Sequence, residues 1–468
     1  MDNDPFCGKI EVEKNKDFPK KREPLPMTTL QQFYRPVCNS FPQTARGRKR
    51  ASWFILTILA IAMPVSSART SDLLRCFDYF FDLLLPQRRF YRFMGSPKLP
   101  WDRIRRALWC LIPNPCTAGR LVLALDDSIN PKSGKMVHAC HNFFDHAAKE
   151  NQCKYPWSQN IVCLGLLKFV KGRWACLPLI ARFYHLEKDL NANPVKIGKT
   201  PVEFQTKIEQ AVVMIGQVAD AFANSNLLIV CDSWFGNSGL WKPLHKELGS
   251  RFHLLTRLRS NSNIFDKCPP PSGIVGRPRK YGKKLGNAKS LAPAYRKMAQ
   301  TVTANLYGKI RDLLVYDRVI TLKTLRCSVR VVWVFNKSSW VALCTTDLTL
   351  SVVDIVELYG ARWKIEALFK ELKHDVGSSH TQTHNPSSVI NHLQFCMLTT
   401  SLVWIFADNL DFVPTRRHSV QGRDHFAFSD ARRAFVNAAM NDDFDWLSPK
   451  VSKPFGKSAL RRILRLVA

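Results

Sequence analysis

The chain has 468 residues, 46% of them hydrophobic and 23% charged, which excludes an intrinsically disordered protein and allows two or three globular domains. Its 69 lysines and arginines outnumber 37 aspartates and glutamates, so the formal net charge is +32 and nucleic acid is the expected partner. A ribosomal or membrane-surface role is the alternative, although such chains are usually smaller or more amphipathic. The 14 cysteines include no CxxC pair, which favours reduced cytoplasmic thiols over a disulfide framework or a zinc ribbon.

The first 115 residues predict a flexible segment followed by helices. Residues 1–27 are polar, with lysine and proline, whereas residues 28–115 show helical patterns that mix aromatic side chains with arginine and lysine. Such helices are typical of small DNA-binding domains, so we interpret 28–115 as a helical DNA-binding domain, with a structural cap as the alternative.

An apolar stretch within RGRKRASWFILTILAIAMPVSSA resembles a signal peptide. It begins near residue 46, too far along the chain for a cleaved leader, and its apolar part is too short to cross a bilayer. The stretch therefore predicts a buried helix in a soluble protein that has no membrane partner.

Residues 116–250 contain two apolar strands that end in carboxylates. Asp126 and Asp127 end the first strand, in GRLVLALDDS, and Asp232 ends the second, in NLLIVCDSWFG. Asp232 alone could equally be the N-cap of the helix that follows it.

A group of polar residues in HACHNFFDH raises the question of a zinc site; its members are His138, Cys140, His141, Asp145 and His146. Zinc ligation is one interpretation, but the spacing matches no closed zinc site. A strand with polar side chains at its edge is the interpretation that we favour.

Residues 251–345 predict a β-rich insertion, because several strand-like runs are broken by the basic segment GIVGRPRKYGKKLGNAKS. Within that segment, GRPRK places Arg277 and Arg279 around a proline, a pattern similar to minor-groove hooks. A basic loop that touches DNA phosphates without sequence preference is the favoured interpretation, and an idle surface loop is the alternative.

The helix predicted over YGARWKIEALFKELKHD has three faces, where a surface helix needs only two. One stripe combines charged and aromatic residues: Tyr359, Arg362, Glu366, Lys370 and Lys373. A second stripe is apolar, formed by Leu358, Ile365, Phe369, Leu372 and Val376, and a third face is expected to be solvated, formed by Lys364, Glu371, His374 and Asp375. This helix belongs to the final core helices, predicted over 346–408, and a C-terminal helical region follows over 409–468.

Asp126, Asp232 and Glu366 together indicate a metal site. Acids buried near one another are costly unless something positive pairs with them, and hard divalent cations take carboxylate oxygens. Two magnesium ions about 4 Å apart would activate a water and stabilise the leaving oxygen of a phosphodiester. Mg²⁺ is therefore the expected cofactor, with Mn²⁺ as a substitute.

Four residues on the charged stripe carry a family resemblance. Tyr359, Arg362, Glu366 and Lys373 fit the pattern Y-x2-R-x3-E-x6-K, and together with the two acid-bearing strands they make residues 118–408 resemble bacterial insertion-sequence transposases of the cut-and-paste DDE type. The resemblance implies an α/β fold, a ribonuclease H-like catalytic core with the β-rich insertion between the second aspartate and the glutamate. The all-helical N-terminal domain precedes this core.

The resemblance also implies roles for single residues. Glu366 completes the catalytic, metal-binding set with Asp126 and Asp232, while the other stripe residues hold DNA phosphates, namely Tyr359, Arg362, Lys373 and, beside them, Lys370. We expect Arg362 and Lys373 to flank the scissile phosphate rather than to contact the metal site. Trp363 could stack on a displaced base or simply pack against its neighbours.

The first acid is a choice between neighbours. The family's D-x-[ST] pattern favours Asp126, which precedes Ser128 by two residues, and Asp127 is the alternative. Neighbouring residues on a strand point to opposite faces of the sheet, so only one of the two can join the site.

The expected function is that of a DNA transposase that cuts transposon ends and joins them to a target. Its partners would be double-stranded DNA, as terminal inverted repeats and target, and a second copy of the chain in a synaptic homodimer. A bacterial, nucleoid-associated location in the cytoplasm is expected. A related nuclease without strand transfer and a domesticated DNA-binding protein are the alternatives.

Overall fold

The computed structural model of the protein describes residues 28–63, 67–81, 83–145, 148–267, 281–418, 421 and 425–441. Five helices come first: α1 Thr28–Ser40, α2 Ala45–Ala62, α3 Thr70–Phe81, α4 Gln87–Met94 and α5 Trp101–Trp109. The predicted flexible segment 1–27 and residues 442–468 of the predicted C-terminal helical region lie outside the described residues.

Strands and helices alternate through the rest of the chain. The first half of this part comprises β1 Arg120–Pro131, β2 Cys140–Asn142, β3 Trp157–Val170, β4 Arg173–Tyr184, α6 Glu187–Ala192, β5 Lys196–Ile197, β6 Thr200–Pro201, α7 Lys207–Ala221, β7 Asn226–Cys231 and α8 Ser238–Leu248. After a 3₁₀ turn at Gly249–Arg251 come β8 Phe252–Arg257, β9 Asn263–Phe265, β10 Lys284–Asn287, α9 Ala288–Lys297, β11 Gln300–Leu306, β12 Lys309–Leu322, β13 Cys327–Phe335 and β14 Trp340–Thr345. The last elements are α10 Val352–Ala361, α11 Lys364–Lys370, a π-helical turn at Glu371–Asp375, α12 Pro386–Asn409 and α13 Phe428–Asn441.

A large mixed sheet forms the centre of the molecule, as expected for an α/β fold. Its hydrogen-bonded order is β10-β9-β12-β13-β14-β8-β7-β1-β3-β2, with β4 also paired to β3 and β11 to β12. β1, β7 and β8 are parallel neighbours, and β1 pairs with β3 in the antiparallel sense. The run from Leu121 to Leu125 in β1 is fully buried, which explains its unbroken apolar sequence.

The segment 251–345 is β-rich, as predicted, and its strands continue the same sheet. β8 runs parallel to β7, and β14 pairs with β8 in the antiparallel sense, so this segment is joined edge to edge with the strands that carry the acids. The basic part of the segment from 268 to 280, which includes Arg277 and Arg279, lies outside the described residues.

α12 runs through the core and connects the N-terminal helices to the sheet. Its Phe395 ring lies 4.6 Å from Phe54 of α2 and 4.9 Å from Trp101 of α5, between ring centroids. Among the described residues, α12 is the one helix long and apolar enough to span a membrane, but 94% of its apolar window is buried inside the protein, as in the core helix of a soluble protein. α2 is buried from Ala51 to Ala62, which confirms the buried helix predicted for the signal-like stretch.

The single helix expected from Tyr359 to Asp375 is wrong in detail. α10 ends at Ala361, and hydrogen bonds between residues three apart connect it to α11, such as Trp363 N–H to Gly360 C=O at 3.3 Å. The helix then widens into the π-helical turn. Arg362 nevertheless keeps its place in the predicted stripe, since its side chain contacts Tyr359 three residues before it and Glu366 four residues after it.

The third face of that helix is solvated only in part: His374 is exposed as expected, whereas Lys364 and Asp375 are half-buried and Glu371 is buried. Glu371 is only 8% exposed, and its carboxylate accepts a hydrogen bond from Trp404 Nε1 at 3.1 Å. Asp375 is half-buried, and its backbone carbonyl accepts a hydrogen bond from Arg432. The expectation failed because α12 and α13 cover a face that has no apolar sequence signal of its own.

Candidate active site

Two of the three predicted acids lie on two adjacent central strands, just past the point where the ladder between those strands ends. The parallel ladder between β1 and β7 ends with Leu125 opposite Cys231, so Asp126 and Asp232 are the next residues on two adjacent strands. Such strands lie about 4.8 Å apart, and side chains at equivalent positions share a face. The sequence pattern of an apolar run followed by an acid thus brought the two carboxylates together.

Asp232 is held at the start of a tight turn. Its Oδ1 accepts hydrogen bonds from the backbone N–H groups of Trp234 and Phe235, both at 3.0 Å, and its carbonyl accepts one from Thr256 Oγ1 at 2.8 Å. A Cβ on Gly236 would lie 2.1 Å from Thr256 Oγ1, so this close approach of β8 requires glycine. The N-cap of α8 is Asn237, so Asp232 does not have the capping role that was its alternative.

Arg362 connects the first acid to the third. Its Nη1 donates to Asp126 Oδ2 at 3.0 Å and its Nη2 donates to Glu366 Oε1 at 3.2 Å, while the guanidinium lies 5.8 Å from the centre of the Tyr359 ring. The Arg362 side chain is only 12% exposed. The expectation that Arg362 would flank the scissile phosphate without contacting the metal site is wrong, because its guanidinium lies between Asp126 and Glu366.

Burial governs the protonation of these carboxyl groups. It raises the pKa of Asp126 to about 7; Arg362 opposes the shift, and the nearby charge of Asp232 adds to it. Burial also raises the pKa of Glu366, against the opposing charge and hydrogen bond of Arg362. Burial is thus the main cause of both shifts, and Arg362 offsets part of it.

Asp127 faces a different set of partners. Its Oδ2 accepts hydrogen bonds from Lys207 Nζ and from Asn160 Nδ2, both at 2.8 Å. The Lys207 ammonium in turn lies 5.3 Å from the Tyr184 ring centre and 5.7 Å from that of Trp234. The geometry thus joins Asp126, and not Asp127, to Arg362 and Glu366.

The two lysines of the stripe have different surroundings. Lys373 Nζ donates to Ser128 Oγ at 2.7 Å and to the carbonyl of Ile129 at 2.8 Å, and burial lowers its pKa. Lys370 is exposed at the rim of an open cleft of about 390 Å³, which Asp126 and Glu366 also line. Trp363 is 54% exposed and lies at the same helix break as Arg362.

The donor chemistry of the three acids fits a hard divalent cation, although their present arrangement is not that of a bound ion. Among the residues that the structure describes, no group of three or more His, Cys, Asp or Glu side chains is placed to hold a metal. Arg362 lies between Asp126 and Glu366 and supplies the positive charge there. Carboxylate oxygens are hard ligands that suit Mg²⁺ or Mn²⁺, so Asp126, Asp232 and Glu366 would hold the ion.

The zinc interpretation of HACHNFFDH gains no support from the described part of that segment, and His146 lies outside it. The ring of His141 is hydrogen-bonded to the carboxylate of Asp189, and Cys140–Asn142 form the short strand β2 beside β3. The strand interpretation is therefore confirmed.

Several residues around the acids were missed by the sequence reasoning. Lys207, Asn160 and Tyr184 surround Asp127 but are far from it along the chain, so no local pattern signals them. Trp234 is 45% exposed and follows Asp232 by two residues. The position of this aromatic residue next to Asp232 was the one sequence feature that could have indicated a role for Trp234 near the acids.

Comparison with known families supports the nuclease interpretation. A family model described as DDE superfamily endonuclease matches residues 85–340, more than half of the chain. The match includes Asp126 and Asp232, whereas Arg362 and Glu366 follow its end. Comparison with curated proteins gave no match. The protein therefore belongs to the DDE superfamily of endonucleases, enzymes that act on DNA and generally use divalent metal ions.

Proposed function

We propose that this endonuclease is a transposase of the bacterial insertion-sequence type, which cuts the ends of its element and joins the freed 3′ hydroxyls to target DNA. The observation that carries the proposal is the double contact of Arg362, which donates to Asp126 at 3.0 Å and to Glu366 at 3.2 Å. Asp232 lies at the end of the strand next to Asp126. Two acids from separate parts of the chain thus contact one arginine of the Y-x2-R-x3-E-x6-K pattern, and the third acid follows the adjacent strand.

Asp126, Asp232 and Glu366 are proposed to hold Mg²⁺, with Mn²⁺ as a substitute. When bound, the ion activates a water or a 3′ hydroxyl and stabilises the leaving oxygen of the phosphodiester. The carboxylates must be ionised to serve as ligands, and the adjacent Arg362 favours that state. Asp127, engaged with Lys207 and Asn160, is proposed to position the strand rather than to bind the ion.

DNA is proposed to lie across the cleft beside the acids. Lys370, exposed at the rim, would bind backbone phosphates, and the exposed Trp363 would lie against a base or sugar. The net charge of +32 supports a polyanionic substrate, with terminal repeats and target as its two forms. Two ends must be held together for joining, so the active form is proposed to be a synaptic homodimer on the nucleoid of a bacterial cytoplasm.

The test is incubation of the full chain with its flanking genomic DNA, Mg²⁺ and a supercoiled target plasmid, followed by sequencing of cut and joined products. Cuts at defined ends together with insertion into the plasmid support a transposase. Cuts without insertion would leave a nuclease without strand transfer, and binding without cuts would leave a domesticated DNA-binding protein. The Glu366→Gln variant is the control, since it should bind DNA without cutting it.

A further inference from the structure

A second concave surface lies between α2 and α4, apart from the acids. We call it the basic groove; it encloses about 370 Å³ and is lined by Arg46, Lys49, Arg50, Trp53, Arg89, Arg92 and Phe93. Its five charged residues are all cationic, and its two remaining residues are buried aromatics. None of the contacts described for the active site uses this groove.

The cations of the basic groove have no acidic partners in the described part of the chain. None of the ion pairs found there involves these five residues, and neither α2 nor α4 has an acidic residue in its first turn. Arg46 and Lys49 instead stand at the N-terminal end of α2, where a positive charge opposes the helix dipole. A cluster of cations without acidic partners lowers the stability of the fold by mutual repulsion. Its presence therefore indicates that the groove binds an anionic ligand.

The centre of the basic groove is already ordered. Arg50 Nη2 donates to Ser96 Oγ at 3.0 Å, and its guanidinium lies 5.7 Å from the centre of the Phe93 ring. Trp53 and Phe93 pack edge to face at 5.8 Å and form the floor. Arg50 Nε is buried without a hydrogen-bond partner, so the groove holds a fixed cation with an unused donor.

A chain of contacts links the basic groove to the acid-bearing strand. Ser96, which holds Arg50, also accepts a hydrogen bond through its carbonyl from Asn391 at 2.9 Å, near the start of α12. The loop before α12 is held in turn by Lys132, just beyond β1, whose Nζ donates to the carbonyls of Ser379 and Thr381 at 2.6 and 2.9 Å. The groove and the end of the strand that carries Asp126 are therefore linked through residues 379–391.

We propose that the basic groove binds backbone phosphates of the DNA duplex whose end is cut at the acids, a proposal that rests on the proposed function. Arginine matches phosphate with a planar fork of donors, and such contacts fix the position of a duplex without reading its sequence. The groove's own aromatic residues are buried, so it offers charge rather than an apolar surface for insertion into a membrane.

The test compares two double variants of the full chain with equal change in charge. Arg89→Gln with Arg92→Gln removes two exposed cations of the basic groove, and Lys242→Gln with Lys246→Gln removes two exposed cations from α8. Affinity for a fluorescent duplex of flanking DNA is measured without metal between about 50 and 200 mM salt. The groove variant should bind about tenfold more weakly, and its slope of log affinity against log salt should fall by about 1.8, or 0.9 for each lost phosphate contact. The α8 variant should resemble the wild type.

Equal losses in the two variants, or no loss in the groove variant, would overturn the proposal. The proposal would also be overturned if the groove variant kept its DNA affinity but lost binding to phosphatidylserine-containing vesicles, since the ligand would then be a lipid headgroup. Cleavage by the wild type in Mg²⁺ is scored separately. If the wild type binds DNA through the groove but never cuts it, only the proposed function is contradicted. If the groove variant binds and cuts DNA normally, only the proposal about the groove is contradicted.

Discussion

Lys373 and Ser128 are joined by a hydrogen bond of 2.7 Å, which ties the end of the helix bearing Glu366 to the strand bearing Asp126. Lys373 also donates to the carbonyl of Ile129 at 2.8 Å. Two of its donors are therefore engaged inside the protein. Lys373 therefore connects two elements that carry acids of the site. The family resemblance had implied a contact with a DNA phosphate instead.

Replacing Lys373 by Ala should lower the free energy of unfolding by about 1.5–3 kcal/mol, because a charged hydrogen-bond donor is lost from a half-buried site. DNA affinity should change little. Lys370→Ala, at the exposed rim, should show the reverse: unchanged stability and weaker DNA binding. Chemical denaturation and DNA titration of both variants check this. Both variants are titrated under conditions in which they are fully folded. If Lys373→Ala then weakens DNA binding more than Lys370→Ala does, the ammonium of Lys373 contacts the DNA, which contradicts this prediction.

Asp232→Asn and Glu366→Gln should each abolish cleavage and leave DNA affinity nearly intact, since the amides keep the shape of the side chains but not their affinity for a metal ion. Asp126→Asn should do the same. Asp127→Asn should retain cleavage at a reduced rate, because Asp127 contacts Lys207 and Asn160 instead of Arg362. Wild-type cleavage by the Glu366 variant, or equal effects at the two neighbouring aspartates, would contradict the site assignment.

Glu371 gives a pH dependence that can be measured without DNA. Burial raises the pKa of Glu371 from its ordinary 4.5 to about 8, so the folded chain holds a proton that the unfolded chain releases between these values. The free energy of unfolding should therefore fall as the pH rises from about 4.5 to 8. Glu371→Gln, a neutral mimic, should remove this part of the slope and be the more stable protein at pH 8.

Urea denaturation at several pH values is the measurement for Glu371. Glu247→Gln on the exposed surface of α8 is the matched control and should keep the wild-type slope. Parallel curves for the wild type and the Glu371 variant would show that this carboxyl group does not titrate in the range stated.

Gly236→Ala should destabilise the protein by about 1–3 kcal/mol, because the new Cβ would lie 2.1 Å from Thr256 Oγ1 and 2.6 Å from Thr256 Cβ. The displaced turn carries Asp232, so cleavage should fall as well. Gly216→Ala within α7 is the control: its nearest neighbour would be 3.9 Å away, and alanine favours the helix. Thermal denaturation and a cleavage assay are sufficient, and a Gly236 variant as stable as the Gly216 variant would contradict the close approach.

The sequence predicted those parts of the site that depend on regular local structure. Asp126 and Asp232 were found because an apolar run followed by an acid is typical of a buried strand and its end; Asp232 does follow β7, whereas β1 continues past Asp126 to Pro131. The break between Ala361 and Lys364 was missed, since Tyr359 to Asp375 has a good helical pattern without proline, and Gly360 beside the junction is a weak signal on its own. The burial of Glu371 was also missed, because Trp404 covers it from a helix 33 residues further along the chain. Contacts of this kind depend on packing between distant elements, and no local pattern encodes them.

The position of α12 limits how such a protein can evolve. Its Phe395 packs against rings from both α2 and α5, and Ser401 on the same helix donates to the carbonyl of Pro178 in β4. One helix thus presents surfaces to the N-terminal helices and to the sheet at once. The N-terminal helices cannot be exchanged as an independent cassette, because their removal would expose this apolar helix to water. Chimaeras between relatives should yield soluble protein only when the facing residues of α12 are exchanged along with those helices.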